Sequence, residues 1–90
     1  MADMANPQIA ERTKKIIGDN IHRLRKESGR SVIDLTGELD MPRPYWYELE
    51  AGTVNYTVER LEQIAELLGV KVQDLLTEPR KAKRELVRSR

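Results

Sequence analysis

Apolar residues in the first third of the chain fall three and four positions apart. Ile17, Ile21 and Leu24 share one face of a helix, with charged side chains between them,. Ser28 and Gly29 close the segment, since glycine accepts the left-handed conformation in which helices commonly end. The spacing predicts a first helix over residues 9–27. Ser31 then offers a side-chain oxygen to cap a second helix, and Asp34 completes a shortened capping box three residues on, which predicts helix over 32–38,. Asp40 stands where the chain must turn, and aspartate tolerates positive φ better than most side chains. A third helix follows at once, with Pro42 and Pro44 confined to its cap and first turn, where a missing N–H costs little. It runs to Ala51 and stops at Gly52. Thr57 caps a fourth helix, whose apolar stripe is Val58, Leu61, Ile64, Ala65 and Leu68, and Gly69 ends it,. Val70, Val72, Leu75 and Leu76 mark a short fifth helix, ended by Pro79. The expected architecture is all-α: a compact five-helix bundle over residues 9–78, with a flexible N-terminus over 1–8 and a basic, mobile tail over 79–90,.

Composition narrows what such a bundle can do. Ninety residues make one domain with a modest core,. Cysteine is absent and His22 is the single histidine, so neither a disulfide framework nor a thiolate or imidazole metal site can be assembled, and no cofactor is expected,. There is no glycine-rich phosphate loop and no cysteine nucleophile, which argues against an enzyme. The sequence also shows no small-molecule site. Apolar runs stay at two or three residues and the N-terminal residues are acidic and amidic rather than basic then greasy, so the expectation is a cytoplasmic protein with no membrane segment,.

The net charge of +1 conceals an uneven distribution. Residues 12–30 carry seven bases against Asp19 and Glu27; residues 44–78 carry only Arg60 and Lys71 against seven acids; residues 80–90 carry six bases against Glu85. Local positive density is what a polyanion partner requires, and two basic stretches here flank an acidic one.

Two short helices joined by a tight turn, starting near Ser31 and Pro42, match helix-turn-helix geometry, in which the second helix enters the major groove N-terminus first. At this point the chain resembles a known family. The order Ile17-Gly18, Leu24-Arg25, Gly29, Ser31, Leu35, Leu39, Glu50-x-Gly52, Leu61, Ile64-Ala65, Leu68-Gly69-Val70 and Leu75-Leu76 resembles the phage-repressor and Cro-like (XRE) DNA-binding domain over about two thirds of the chain. The resemblance implies a lambda-repressor-like fold, double-stranded DNA as partner and a transcription-regulating role. It also implies an internal ion pair between Arg25, late in helix 1, and Glu50, at the end of helix 3.

Positions matching the family's DNA contacts are Arg43, Pro44, Tyr47 and Glu48 for bases, and Ser31, Val32, Tyr45, Thr53, Asn55 and Tyr56 for phosphates. Arg43 carries the fork of donors that reads the O6 and N7 edge of guanine. Tyr45 can give its hydroxyl to a phosphate or its ring to a thymine methyl, and Glu48 can accept only from cytosine amino groups. Trp46 and Leu49 are expected to face inward. The chain departs from the family at two places. Val32 replaces the usual phosphate-donating glutamine, and the loop Thr53-Val54-Asn55-Tyr56 is neutral where it is usually basic. Phosphate affinity must then come from helix N-terminal amides, the basic first helix or the tail. These departures also leave open a second reading, a protein-interaction module that keeps the fold without the DNA. One recognition helix spans too few base pairs to specify a site, so a symmetric homodimer on a near-palindrome is expected, with Val70, Val72, Leu75 or Leu76 as interface candidates.

Overall fold

The computed structural model describes residues 7–79, all of whose regular elements are helices: α1 (Pro7–Ser28), α2 (Val32–Leu39), α3 (Arg43–Ala51), α4 (Val58–Leu68) and α5 (Val72–Leu76). α1 begins at Pro7, two residues before the helix start expected from the spacing, and the fixed φ of proline suits a first helical turn,. The rest of the N-terminal segment and residues 80–90 of the expected tail lie outside the described residues.

The caps follow the local chemistry. Ser31 accepts from the Asp34 N–H while Asp34 reaches back to the Ser31 N–H, so two otherwise orphaned donors are satisfied,. Thr57 accepts from the Arg60 N–H at the start of α4,. Asp40 takes the left-handed conformation at φ 53 between α2 and α3. Met41, immediately after it, is buried, so the turn itself is anchored in the core.

The core is aliphatic with a single indole at its centre. Ile17, Ile21, Val32, Leu35, Trp46, Leu49, Leu61, Ile64, Ala65 and Leu75 are all buried, and Trp46, Ile21, Leu35, Leu49, Ile64 and Leu75 are fully so. α1 packs across α3 and α5, α4 closes on α5 and α1, and α2 leans on α3. Burial of Leu75 removes it from the candidate interface residues: its side chain fills the monomer's core. Val70 and Val72 are half-buried against that core, and Leu76 faces out at 45% exposure.

Two polar devices were not foreseen from the sequence. Asn20 is wholly buried on α1 and donates its amide to the carbonyls of Leu75 and Thr77, at 2.8 and 2.9 Å, while Arg23 donates to its Oδ1. An amide that serves carbonyls otherwise left open at the end of α5 fixes this short helix, which has too few turns to hold itself. Arg30, between α1 and α2, donates to the Leu67 carbonyl and to Glu38, tying the link to the end of α4 and to α2.

A close backbone approach joins α1 to the end of α3. A Cβ on Gly18 would stand 2.6 Å from the Glu50 carbonyl oxygen and 2.8 Å from the Gly52 nitrogen. Gly52 answers it: its φ is +75°, and a Cβ there would meet the Lys14 carbonyl at 2.8 Å. The Gly52 and Thr53 N–H groups both return to the Glu48 carbonyl, closing α3 in a Schellman-type end,.

Candidate nucleic-acid interface

α3 is held on one side and open on the other. Trp46 and Leu49 point into the core, whereas Arg43, Pro44, Tyr47 and Glu48 are exposed, with Tyr47 at 56%. Helical spacing brings these four to the outer side of one short helix that begins with Arg43 and Pro44,. Arg43 makes no hydrogen bond or ion pair to any described residue, so its five donors are uncommitted,.

The orientation of that helix depends on Glu50. Its carboxylate accepts from Arg25 Nε and Nη2, from Trp46 Nε1 at 2.6 Å, and has His22 Nδ1 at 2.8 Å. The Glu50 and Arg25 side chains are only 9% and 13% exposed. Burial alone would raise the Glu50 pKa, but the hydrogen bonds from Arg25, His22 and Trp46 together outweigh it and hold the carboxyl below its ordinary range,. The Arg25 pKa is raised, first by its hydrogen bond to Glu50 and against the opposing effect of its own burial. The ion pair implied by the family resemblance is present as a four-residue network. His22 and Trp46 carried a signal that sequence reasoning passed over: His22 lies three residues before Arg25 on α1, and Trp46 four before Glu50 on α3, so each shares a face with a member of the pair,.

The positions assigned to phosphates divide. Ser31 is exposed at the start of α2, with its oxygen engaged by the Asp34 N–H. Thr53 and Asn55 are exposed in the α3–α4 loop. Val32 is corrected: it is 7% exposed and packs in the core, so only its backbone N–H, in the first turn of α2, remains for an anion. Tyr56 is also corrected, because its hydroxyl donates to the Leu49 carbonyl and pins the loop onto α3. Burial, then the charges of Tyr45 and Asp19, push its pKa up to about 12. Tyr45 is half-buried on the flank of α3 nearest α4, its ring covered by the Arg60 guanidinium at 5.7 Å and its hydroxyl without a partner among the described residues. Sequence reasoning assigned Arg60 no role.

Comparison with known proteins agrees with this geometry. A family model described as "Helix-turn-helix domain" matches residues 16–78. The chain is 34% identical over 64 residues to the "Uncharacterized HTH-type transcriptional regulator y4dJ" of Sinorhizobium fredii, covering 71% of this chain and 83% of that one. It is 34% identical over 62 residues to "Control protein C.BamHI" of Bacillus amyloliquefaciens, covering 68% and 76%. It is also 34% identical over 58 residues to "HTH-type transcriptional regulator DdrOP3" of Deinococcus deserti, covering 64% of this chain but 45% of that protein's length. Among solved structures, a hypothetical transcription factor, NHTF, from Neisseria shares the fold with a TM-score of 0.74 at 24% identity, over 80% of this chain and 83% of that one. The chain belongs to the XRE-like helix-turn-helix family of transcriptional regulators.

Proposed function

We propose that the protein is a sequence-specific regulator of transcription that binds double-stranded DNA as a symmetric dimer on a near-palindromic site. The observation that carries this reading is the presentation of α3. A short helix is fixed from behind by Trp46, Leu49 and the Glu50 network, and its outer side carries Arg43, Pro44, Tyr47 and Glu48. Rigid placement matters because a base-reading side chain loses less entropy on binding when its backbone is already set. The naming of relatives as transcriptional regulators and as a control protein supports it.

Selection of bound sites from a random DNA pool supplies the test. On the preferred site, Arg43→Ala is expected to cost about 1–3 kcal/mol of binding free energy, and on random duplex much less, because a bidentate contact to guanine discriminates and a phosphate contact does not. Equal losses on both duplexes would make Arg43 a phosphate ligand and pass base reading to Tyr47 and Glu48. Complete absence of salt-dependent binding would overturn the DNA reading and leave the protein-interaction module.

The dimer has its own check. Leu76 is an apolar side chain 45% exposed, beside the half-buried Val70 and Val72. Sedimentation is expected to show a dimer, and Leu76→Glu to shift it toward a folded monomer whose melting temperature no longer depends on protein concentration. Monomer alone, with and without DNA, would remove the dimer from the proposal.

A further inference from the structure

The α3–α4 loop, Thr53-Val54-Asn55-Tyr56, offers no positive charge, and between residues 44 and 70 the chain has one basic residue, Arg60. The fold brings that residue back to the reading helix. Arg60 sits in the first turn of α4, and its guanidinium lies over the ring of Tyr45. A separation of 5.7 Å is within the range in which a cation is attracted to an aromatic face,. Its Nη1 also donates to Gln63 at 2.9 Å, so the head group is held from two sides.

Many cations of the described chain are spent on carboxylates: Arg12 on Glu78, Lys15 on Asp19, Arg23 on Glu27, Arg25 on Glu50 and Arg30 on Glu38. Arg60 forms no ion pair with a described carboxylate, although Glu59 and Glu62 are close to it in sequence. Its attachment to a neutral ring and a neutral amide orients the guanidinium and leaves its charge uncompensated. The hydroxyl of the same Tyr45 has no hydrogen-bond partner among the described residues. A guanidinium and a phenol on one flank of an exposed helix form a donor pair of the kind that takes one phosphate oxygen each.

We propose that Arg60, stacked on Tyr45, is a phosphate ligand that clamps the DNA backbone beside α3 and supplies from α4 the charge that the neutral loop lacks. The proposal rests on the DNA reading given above. It accounts for a chain that departs from its family in the loop: the loop's tyrosine, Tyr56, turns inward to the Leu49 carbonyl, and the cation arrives from the next helix instead.

Binding of the full chain to the selected site and to random duplex, measured across a salt series, tests it. Arg60→Gln is expected to flatten the slope of log K against log salt by about 0.9, the value for one phosphate contact on B-form DNA, and to weaken specific and random binding alike. Arg60→Lys keeps the charge, and should keep the slope while losing part of the affinity through poorer stacking. Tyr45→Phe keeps the ring and the stacking, and should lose affinity through the hydroxyl with only a small change of slope. Melting curves of each variant report folding; should Arg60→Gln not fold, Arg60→Lys and Tyr45→Leu carry the comparison, the latter expected to lower affinity on both duplexes. An unchanged slope and affinity in Arg60→Gln, with wild type still binding in a salt-dependent manner, overturns the proposal alone. A wild type without salt-dependent binding overturns the DNA reading itself.

Discussion

Glu50→Ala is expected to lower folding stability by about 3 kcal/mol in chemical denaturation, because removing one member of a largely buried, hydrogen-bonded ion pair strands the other,. Exposed pairs on the same molecule set the scale. Lys15 with Asp19 and Arg23 with Glu27 lie on the surface of α1 at i,i+4 spacing, where such a pair contributes only about 0.3–0.5 kcal/mol,. Glu50 differs in what depends on it. Its loss leaves the Arg25 guanidinium, the Trp46 indole N–H and His22 without their acceptor. A double-mutant cycle should show Arg25→Ala with Glu50→Ala costing less than the two single changes combined, though still more than nothing, since the indole N–H remains unpaired. Additive losses would show the pair to be uncoupled. The pH dependence has a definite sign. Because folding lowers the Glu50 pKa, the stability that comes from its ionisation is fully present above the unfolded carboxyl range and is lost as pH falls through the lower folded value,. The advantage of wild type over Glu50→Gln should therefore shrink on acidification.

Local features of this chain could be read from the sequence because their causes are local. The period of Ile17, Ile21 and Leu24, the Ser31 and Asp34 box, the left-handed turn at Asp40 and the stops at Gly52 and Gly69 each depend on a few neighbouring residues, and each has its expected place in the structure. The inward placement of Trp46 also followed from its helical position opposite the exposed residues. Contacts made across the fold were less legible. Asn20 reaches carbonyls 55 and 57 residues away, and nothing in its neighbourhood marks it as the amide that fixes α5. Arg60 meets Tyr45 across the α3–α4 loop, and its position within an acidic stretch masks the fact that it forms no ion pair with a described carboxylate. Two residues were assigned outward on family register alone. Val32 packs inward because an aliphatic side chain there extends the core that Leu35 begins, and Tyr56 turns inward because its hydroxyl finds the Leu49 carbonyl. Register places a residue along the chain; the chemistry of its side chain decides which way it turns.

Gly18→Ala shows how far a tertiary contact can override helix propensity. Alanine is the better helix former by about 0.8–1.0 kcal/mol in a helix interior, so α1 taken alone would gain from the change. In the fold the added methyl carbon would stand 2.6, 2.8 and 2.9 Å from Glu50 O, Gly52 N and Leu49 O. All three are backbone atoms, so no rotamer change relieves the overlap and α1 must move away from the end of α3. Overpacking of this kind costs typically about 1–3 kcal/mol and occasionally more, and an overlap with rigid backbone belongs at the upper end. The shift would also open the Glu50 network, whose donors come from α1 on one side and α3 on the other. Gly18→Ala is therefore expected to lower stability by about 3 kcal/mol, with DNA binding weakened through loss of the orientation of α3. Gly37 provides the control. It lies exposed within α2, its φ is not positive, and a methyl group added there would meet nothing within 4 Å. Gly37→Ala is expected to raise stability by about 0.4–1 kcal/mol through the unfolded chain's reduced freedom. Opposite signs for one substitution at two helical glycines, read from denaturant midpoints, are the expected outcome; a gain at both positions would show that α1 and α3 do not approach as closely as this fold requires.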